Sequence, residues 1–220
     1  MQVTQAKGYK GMGMNGVIAK WYASNTRHFM DDFTALAKRV AGISPGPDVL
    51  EVAPGPGYFA IELAKLGGFS VAALDISKTF VEIATKNAIE AGVEVNFQHG
   101  DVAAMPFPSH SFDFILCRAA FKNFAAPVRA LQEMERVLRV GGKALIIDLR
   151  RDAPLTAINQ VVDRMGGNSV NRALNQLTFR FVLLKRAYTR ADFEGFLSET
   201  RFREVEITAA EIGFEITLTK

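Results

Sequence analysis

Apolar residues at Ile18, Tyr22, Phe29, Phe33, Leu36 and Val40 keep the spacing of one helical face, and Gly42, Pro45 and Pro47 end the pattern. A helix is expected over 16–41. Residues 1–14, rich in Gly, Lys and Met, show no periodicity and read as a mobile arm. From residue 48 the periods alternate. DVLEVA (48–53) reads as a strand, GYFAIELAKLG (57–67) as a helix and FSVAALD (69–75) as a second strand. Ser77 caps a helix that Gly92 stops, VEVNFQH (93–99) is a third strand and FDFILCR (112–118) a fourth. PVRALQEMERVLRV (127–140) is an amphipathic helix that Gly141 and Gly142 should stop, and KALIIDL (143–149) is a fifth strand. Such alternation predicts a doubly wound, Rossmann-like α/β fold with a mainly parallel sheet.

Residues 152–188 break this rhythm with two helix-like pieces around Gly166-Gly167. Beyond a helix starting near Thr189, two final strands flank a gap at Glu211, Ile212 and Gly213, too short for a crossover. They must form an antiparallel hairpin. The expected organisation is one domain over 1–220: arm 1–14, N-terminal lid helix 16–41, cofactor-binding core 48–149, helical insertion 152–188, and C-terminal helix and hairpin 189–220.

Composition narrows the class. The 220 residues are 49% hydrophobic and 22% charged, enough apolar material for one core. A single cysteine, Cys117, cannot form an internal disulfide or a multi-thiolate metal site, and the N-terminus lacks the apolar stretch of a secretory signal. No run reaches the roughly 18 apolar residues that span a bilayer. A cytoplasmic protein is expected. The net charge of +3 is too weak for the footprint of a nucleic-acid binder, so no nucleic-acid partner is expected. Residues 150–190, however, hold eight basic residues against two acids. That segment reads either as a solvated helical face or as a surface for an anionic substrate or a peripheral membrane contact.

The stretch LEVAPGPGYFAIELA (50–64) carries the first candidate chemistry. In a doubly wound sheet, ligands bind beyond the carboxyl ends of the strands, and glycines in the first βα turn let the backbone approach an adenosine-type ligand. Gly55 and Gly57 supply them. Asp75, 18 residues beyond Gly57 at the end of strand two, is placed to accept from both hydroxyls of a ribose. The glycine pattern alone also fits a dinucleotide-binding enzyme. Glu51 inside the first strand and Asp101 after the third favour instead a ligand with a cationic end, a ribose and an exocyclic amine, which S-adenosylmethionine combines.

On these motifs the chain resembles a class I S-adenosylmethionine-dependent methyltransferase, of the group that includes the ubiquinone/menaquinone methylases. VLEVAPGPG, LD ending in Asp75, GDVAAMPFPSHSFD with Asp101 and Asp113, FKNF with Asn123, and LQEMERVLRVGGKALIID are the matching elements. The resemblance implies a seven-stranded sheet and S-adenosylmethionine as cofactor. Glu51 with the turn at Ala53, Gly55 and Gly57 would hold the methionine moiety. Asp75 and Ile76 would hold the ribose, Asp101 and Val102 the adenine, and Cys117 and Arg118 would line the methyl donor's flank. Ala53 stands where the family most often has its first glycine.

Methyl transfer by in-line displacement to a small or lipid-like acceptor is the expected reaction; it needs positioning above all, and a base only where the acceptor carries a tightly held proton. His28, sharing a helical face with Trp21, Asn25 and Asp32, is the candidate general base, the alternative being an exposed His28–Asp32 pair. No metal constellation is seen. An NAD-dependent Rossmann oxidoreductase and a non-catalytic cofactor-binding scaffold are the rival readings.

Overall fold

The computed structural model describes residues 8–10, 14–26, 30–164 and 169–220. Five parallel strands come first: β1 (Asp48–Val52), β2 (Ser70–Asp75), β3 (Asn96–His99), β4 (Phe112–Arg118) and β5 (Leu138–Leu149). The hairpin β6 (Glu204–Ala209) and β7 (Gly213–Thr219) joins as expected, both of its ladders antiparallel. The order is β3-β2-β1-β4-β5-β7-β6. β1 and β4 sit side by side at the centre, where the winding reverses, so a crevice opens beyond their carboxyl ends.

Alternation of side chains across the sheet builds two cores. Val49, Phe114, Leu116 and Leu145 meet α2 (Met30–Ile43) and α3 (Tyr58–Lys65) on one face. Leu50, Val52, Ile115, Cys117 and Ile146 meet α5 (Pro127–Val137) and α9 (Arg190–Leu197) on the other. α4 (Lys78–Ala91) starts and stops where anticipated: Ser77 Oγ accepts the Phe80 N–H, and Gly92 is left-handed at φ 68°. Thr189 and Asp192 close a reciprocal capping box at the start of α9.

Three expectations are corrected. The helix expected over 127–140 ends at Val137, because Leu138 is already extended and begins β5. Gly141 and Gly142 instead shape a bulge in that strand: Gly141 has φ 78°, and a side chain on Gly142 would collide with main-chain oxygens of Arg139 and Asp113. Strand three begins at Asn96 rather than Val93. The arm is not free where it is described: Tyr9 forms a β-bridge with Phe124, the Lys10 N–H donates to Asn123 O at 2.8 Å, and Ser77 Oγ donates to Met14 O at 2.5 Å.

The stretch expected as one helix over 16–41 comprises α1 (Gly16–Thr26) and α2, with residues 27–29 between them outside the described set. α1 leans on α4, where Tyr22 meets Phe80 edge-on at 5.8 Å, while Thr34 of α2 donates to Glu62 of α3 at 2.7 Å. In the insertion, α6 (Leu155–Arg164), α7 (Ser169–Thr178), a π turn over Phe179–Leu183 and α8 (Leu184–Arg186) lead to Tyr188, which bridges to Arg150 just past β5. No described helix is long and apolar enough to cross a membrane.

Candidate functional site

Beyond β1 the chain reverses through three left-handed residues, Ala53 (φ 56°), Gly55 (φ 55°) and Gly57 (φ 79°). Gly57 is required for a second reason: a Cβ there would strike the Phe97 ring and Ala84. Gly55 opens onto space whose nearest atom would be Tyr22 Cε1 at 3.9 Å, leaving room for a ligand beside the turn.

Asp75 ties two turns together. Its Oδ2 accepts the Gly55 N–H at 3.1 Å and its Oδ1 accepts the Ser77 N–H at 2.8 Å. The Ile76 N–H also pulls on this carboxylate, so two successive main-chain groups after β2 converge on it with that of Gly55. Burial pushes the Asp75 carboxyl up to about 6 against the pull of those main-chain bonds. Glu51, only 4% exposed, accepts the Ala60 N–H at 3.1 Å within the first turn of α3, and burial pushes it up to about 8. Glu51 therefore positions the turn from beneath. Asp101 caps the short turn Val102–Ala104 through the Ala103 N–H at 2.9 Å. Gly8 of the arm is pressed between Asp101 and Ile76, where any side chain would collide with both.

Cys117 and Arg118 part company. Cys117 is fully buried in the core, with its thiol pushed up by burial, whereas Arg118 is half-buried and stacks its guanidinium 4.5 Å from the Phe33 ring centre. Its charge reaches both Glu51 and Tyr22. His28 lies outside the described residues. His99 ends β3 beside Asp75 in the ladder. His110 lies near the C-terminus of the chain, with Nδ1 3.3 Å from Lys220 Nζ, away from the crevice.

Three features at this edge carry no motif in the sequence. Tyr9 and Tyr22 both feel the charge of Asp75, and loss of water pushes both hydroxyls up. Tyr22 was visible only as an apolar-face residue of a helix, and nothing in the arm's pattern marks Tyr9. The third feature is a buried ion pair: Lys122 Nζ lies 2.8 Å from Asp148 Oδ1, and Asp148 Oδ2 accepts the Lys122 N–H at 2.8 Å. A lysine in FKNF and an aspartate ending LIID gave no sign that they meet. Among the described residues no cluster of His, Cys, Asp and Glu could hold a metal ion.

Residues 50–146 match the family model described as a methyltransferase domain. The uncharacterized methyltransferase YcgJ of Bacillus subtilis is 38% identical over 101 residues, 46% of this chain and 40% of the relative. The ubiquinone/menaquinone biosynthesis C-methyltransferase UbiE of Bdellovibrio bacteriovorus is 33% identical over 111 residues, 50% of this chain and 47% of the relative. The chain thus spans less than half the length of either. Among solved structures, a SAM-dependent methyltransferase from Aquifex aeolicus superposes with a TM-score of 0.66 at 20% identity, covering 91% of this chain and 95% of that one. The plantazolicin methyltransferase BpumL, solved with a desmethylPZN analog and SAH, gives 0.68 at 16% identity, covering 92% and 90%.

Proposed function

We propose that this chain, whose β/α core is a methyltransferase domain with a class I fold, transfers a methyl group from S-adenosylmethionine to a small, lipid-like acceptor. The observation that carries the reading is Asp75, a buried carboxylate at the end of β2 oriented by the Gly55 and Ser77 N–H groups at the crevice of the matched domain. S-adenosylmethionine is the cofactor such a site takes, and when bound it supplies an electrophilic methyl on a sulfonium.

The chain's residues then divide the work. Asp75 and Ile76 hold the ribose, while Asp101 and Val102 face the adenine. The turn at Ala53, Gly55 and Gly57 holds the methionine end, braced by Glu51 through Ala60. Arg118, at the mouth of β4, is placed for an anionic group of cofactor or acceptor. Tyr9, Tyr22 and Arg186 close the crevice from outside the β/α repeat, and we assign residues 16–41 and 152–188 the role of lid. The acceptor's nucleophilic atom takes the methyl in line, so holding two reactants at short range in a dry site supplies most of the rate. His28 is the candidate to remove a proton where the acceptor carries one. The ubiquinone and menaquinone named for the curated relatives support a lipid-like acceptor.

The rival readings are not favoured. A dinucleotide-binding sheet runs parallel in the order 3-2-1-4-5-6, whereas this one ends in an antiparallel pair with β7 inserted beside β5. Calorimetry with S-adenosylmethionine and NAD tests the cofactor, and labelled methyl transfer into a lipid extract tests the activity. Binding of NAD but not S-adenosylmethionine would overturn the cofactor, and tight cofactor binding without transfer would favour the scaffold.

A further inference from the structure

The segment 169–186, SVNRALNQLTFRFVLLKR, holds four basic residues and no acid: Arg172, Arg180, Lys185 and Arg186. Its inward side is settled: Phe179 and Leu184 pack with Ala153, Ile158 and Val162 in a small core of their own. Its outward side is apolar and open, with Leu174 61%, Leu177 53%, Phe181 49% and Val182 43% exposed. Soluble surfaces rarely gather such side chains without a partner. Arg180 and Lys185 flank the strip, their charged ends 5.3 and 5.8 Å from the Phe181 ring centre. Among the described residues neither has a carboxylate within ion-pair distance, while Arg172 is paired with Asp163 at 3.7 Å and Arg186 is half-buried toward Tyr9.

We propose that this face of α7 and the π turn docks on the surface of a lipid bilayer carrying anionic lipids. Apolar side chains that enter the headgroup boundary, rimmed by cations, are what an interfacial helix needs. A second copy of the chain fits less well, because a two-fold contact would set this acid-free strip against itself. The docked face is joined to the crevice: Tyr188, two residues past α8, receives a hydrogen bond from Lys10 Nζ at 2.9 Å and bridges to Arg150 at the carboxyl edge. Docking would thus bring the crevice to the lipid, although the inference stands without any assumption about the acceptor.

The test is co-sedimentation of the full chain with vesicles of phosphatidylcholine containing phosphatidylglycerol, against phosphatidylcholine alone. Binding is expected only to the mixed vesicles and should fall as salt is raised from about 0.1 to about 0.5 M. Leu177→Glu with Phe181→Glu should lower it at least tenfold, and Arg180→Gln with Lys185→Gln by about fivefold per cation removed. All four side chains are exposed, and unchanged thermal melting and S-adenosylmethionine affinity would verify that both variants fold. Equal binding to neutral vesicles, no binding to either, or variants that bind like the wild type would overturn the proposal. So would self-association abolished by Phe181→Glu without vesicle binding. None of these results touches the methyl-transfer reading, which is read separately from cofactor binding and turnover.

Discussion

On the sheet side of the crevice Glu51, Asp75, Asp101 and Asp148 each have at least one carboxylate oxygen committed to a main-chain N–H. On the covering side Tyr9, Tyr22 and Arg186 bring two hydroxyls and a guanidinium from outside the sheet. The difference lies in how each side is made. The ends of β1, β2 and β5 are fixed by ladders on both flanks, and Asp101 by the turn it caps, so polar groups there can be oriented before any ligand arrives. Groups brought by an arm and an added helix lack that frame and can adapt to what is bound. The sheet side should therefore govern stability and cofactor affinity, and the cover should govern turnover.

The largest effect is expected at Lys122. Replacing it with Met leaves Asp148 as a buried charge without its ammonium partner, which costs about 3–5 kcal/mol in comparable pairs. Urea unfolding of Lys122→Met reads this directly; a loss under about 1 kcal/mol would mean that water reaches Asp148 and that the edge is less rigid than the comparison requires.

Next comes Glu51, through pH. Its carboxyl titrates at about 8 when folded, against an ordinary value of 4.5 for a solvated glutamate. The unfolded chain therefore releases this proton first, and stability falls as pH rises from about 4.5 to about 8. Asp75 acts in the same sense between 3.8 and about 6. Carboxylates held low by partners, such as Asp113 beside Arg139, lose stability in the opposite direction, as pH falls below their ordinary range. Glu51→Gln, which keeps an acceptor for the Ala60 N–H, should remove the slope between about pH 6 and 8, a gain of a few kcal/mol at pH 8. Denaturation midpoints parallel to the wild type across that range would place Glu51 in contact with water.

Asp75→Ala should weaken S-adenosylmethionine by roughly ten- to a hundredfold, about 1.5–3 kcal/mol, if both ribose hydroxyls bond to it. Wild-type affinity should rise with pH through about 6 as Asp75 ionises, and Asp75→Asn should lose that rise. Calorimetry in a folded variant checks both, and an unchanged affinity would move the ribose elsewhere.

How much of this could be read in the chain follows from the same contrast. The positions of Glu51, Asp75 and Asp101 are legible in the chain because strand and turn patterns fix where an acid in or just after a strand lies. Those of Lys10 and Tyr9 are not, because the arm docks through main-chain bonds to Asn123 and Phe124, which leave no periodic trace in side chains. Gly141 and Gly142 misled for a related reason: a glycine pair after a helix marks a stop or a bulge equally well, and only the β4–β5 register decides. The Lys122–Asp148 pair joins residues 26 apart through tertiary structure alone.

On the cover, Tyr22→Phe keeps the ring against Phe80 and Gly55 and removes only the hydroxyl. Turnover should drop about two- to tenfold, the worth of one neutral hydrogen bond, with cofactor affinity held within about twofold. Steady-state kinetics beside calorimetry separates the two. A change in cofactor affinity as large as that in turnover would erase the division between sheet and cover.

The smallest effect tests whether the turn itself is strained. Ala53 adopts, at φ 56°, the left-handed conformation that favours glycine, and its N–H reaches Leu74 O at 2.8 Å. The turn is thus retained at the expense of strain, about 1–2 kcal/mol for an L-residue. Ala53→Gly removes that strain but frees the unfolded chain by about 0.5–1 kcal/mol, so the net gain should be under about 1 kcal/mol. The midpoint of urea unfolding should rise with its slope unchanged, and cofactor affinity should stay the same because Gly55 and Asp75 already fix the turn. Ala53 is also half-buried against the larger core. A lower midpoint would mean that its methyl group contributes more by packing than the strain costs, and that the substitution belongs to this chain's core rather than to its ligand.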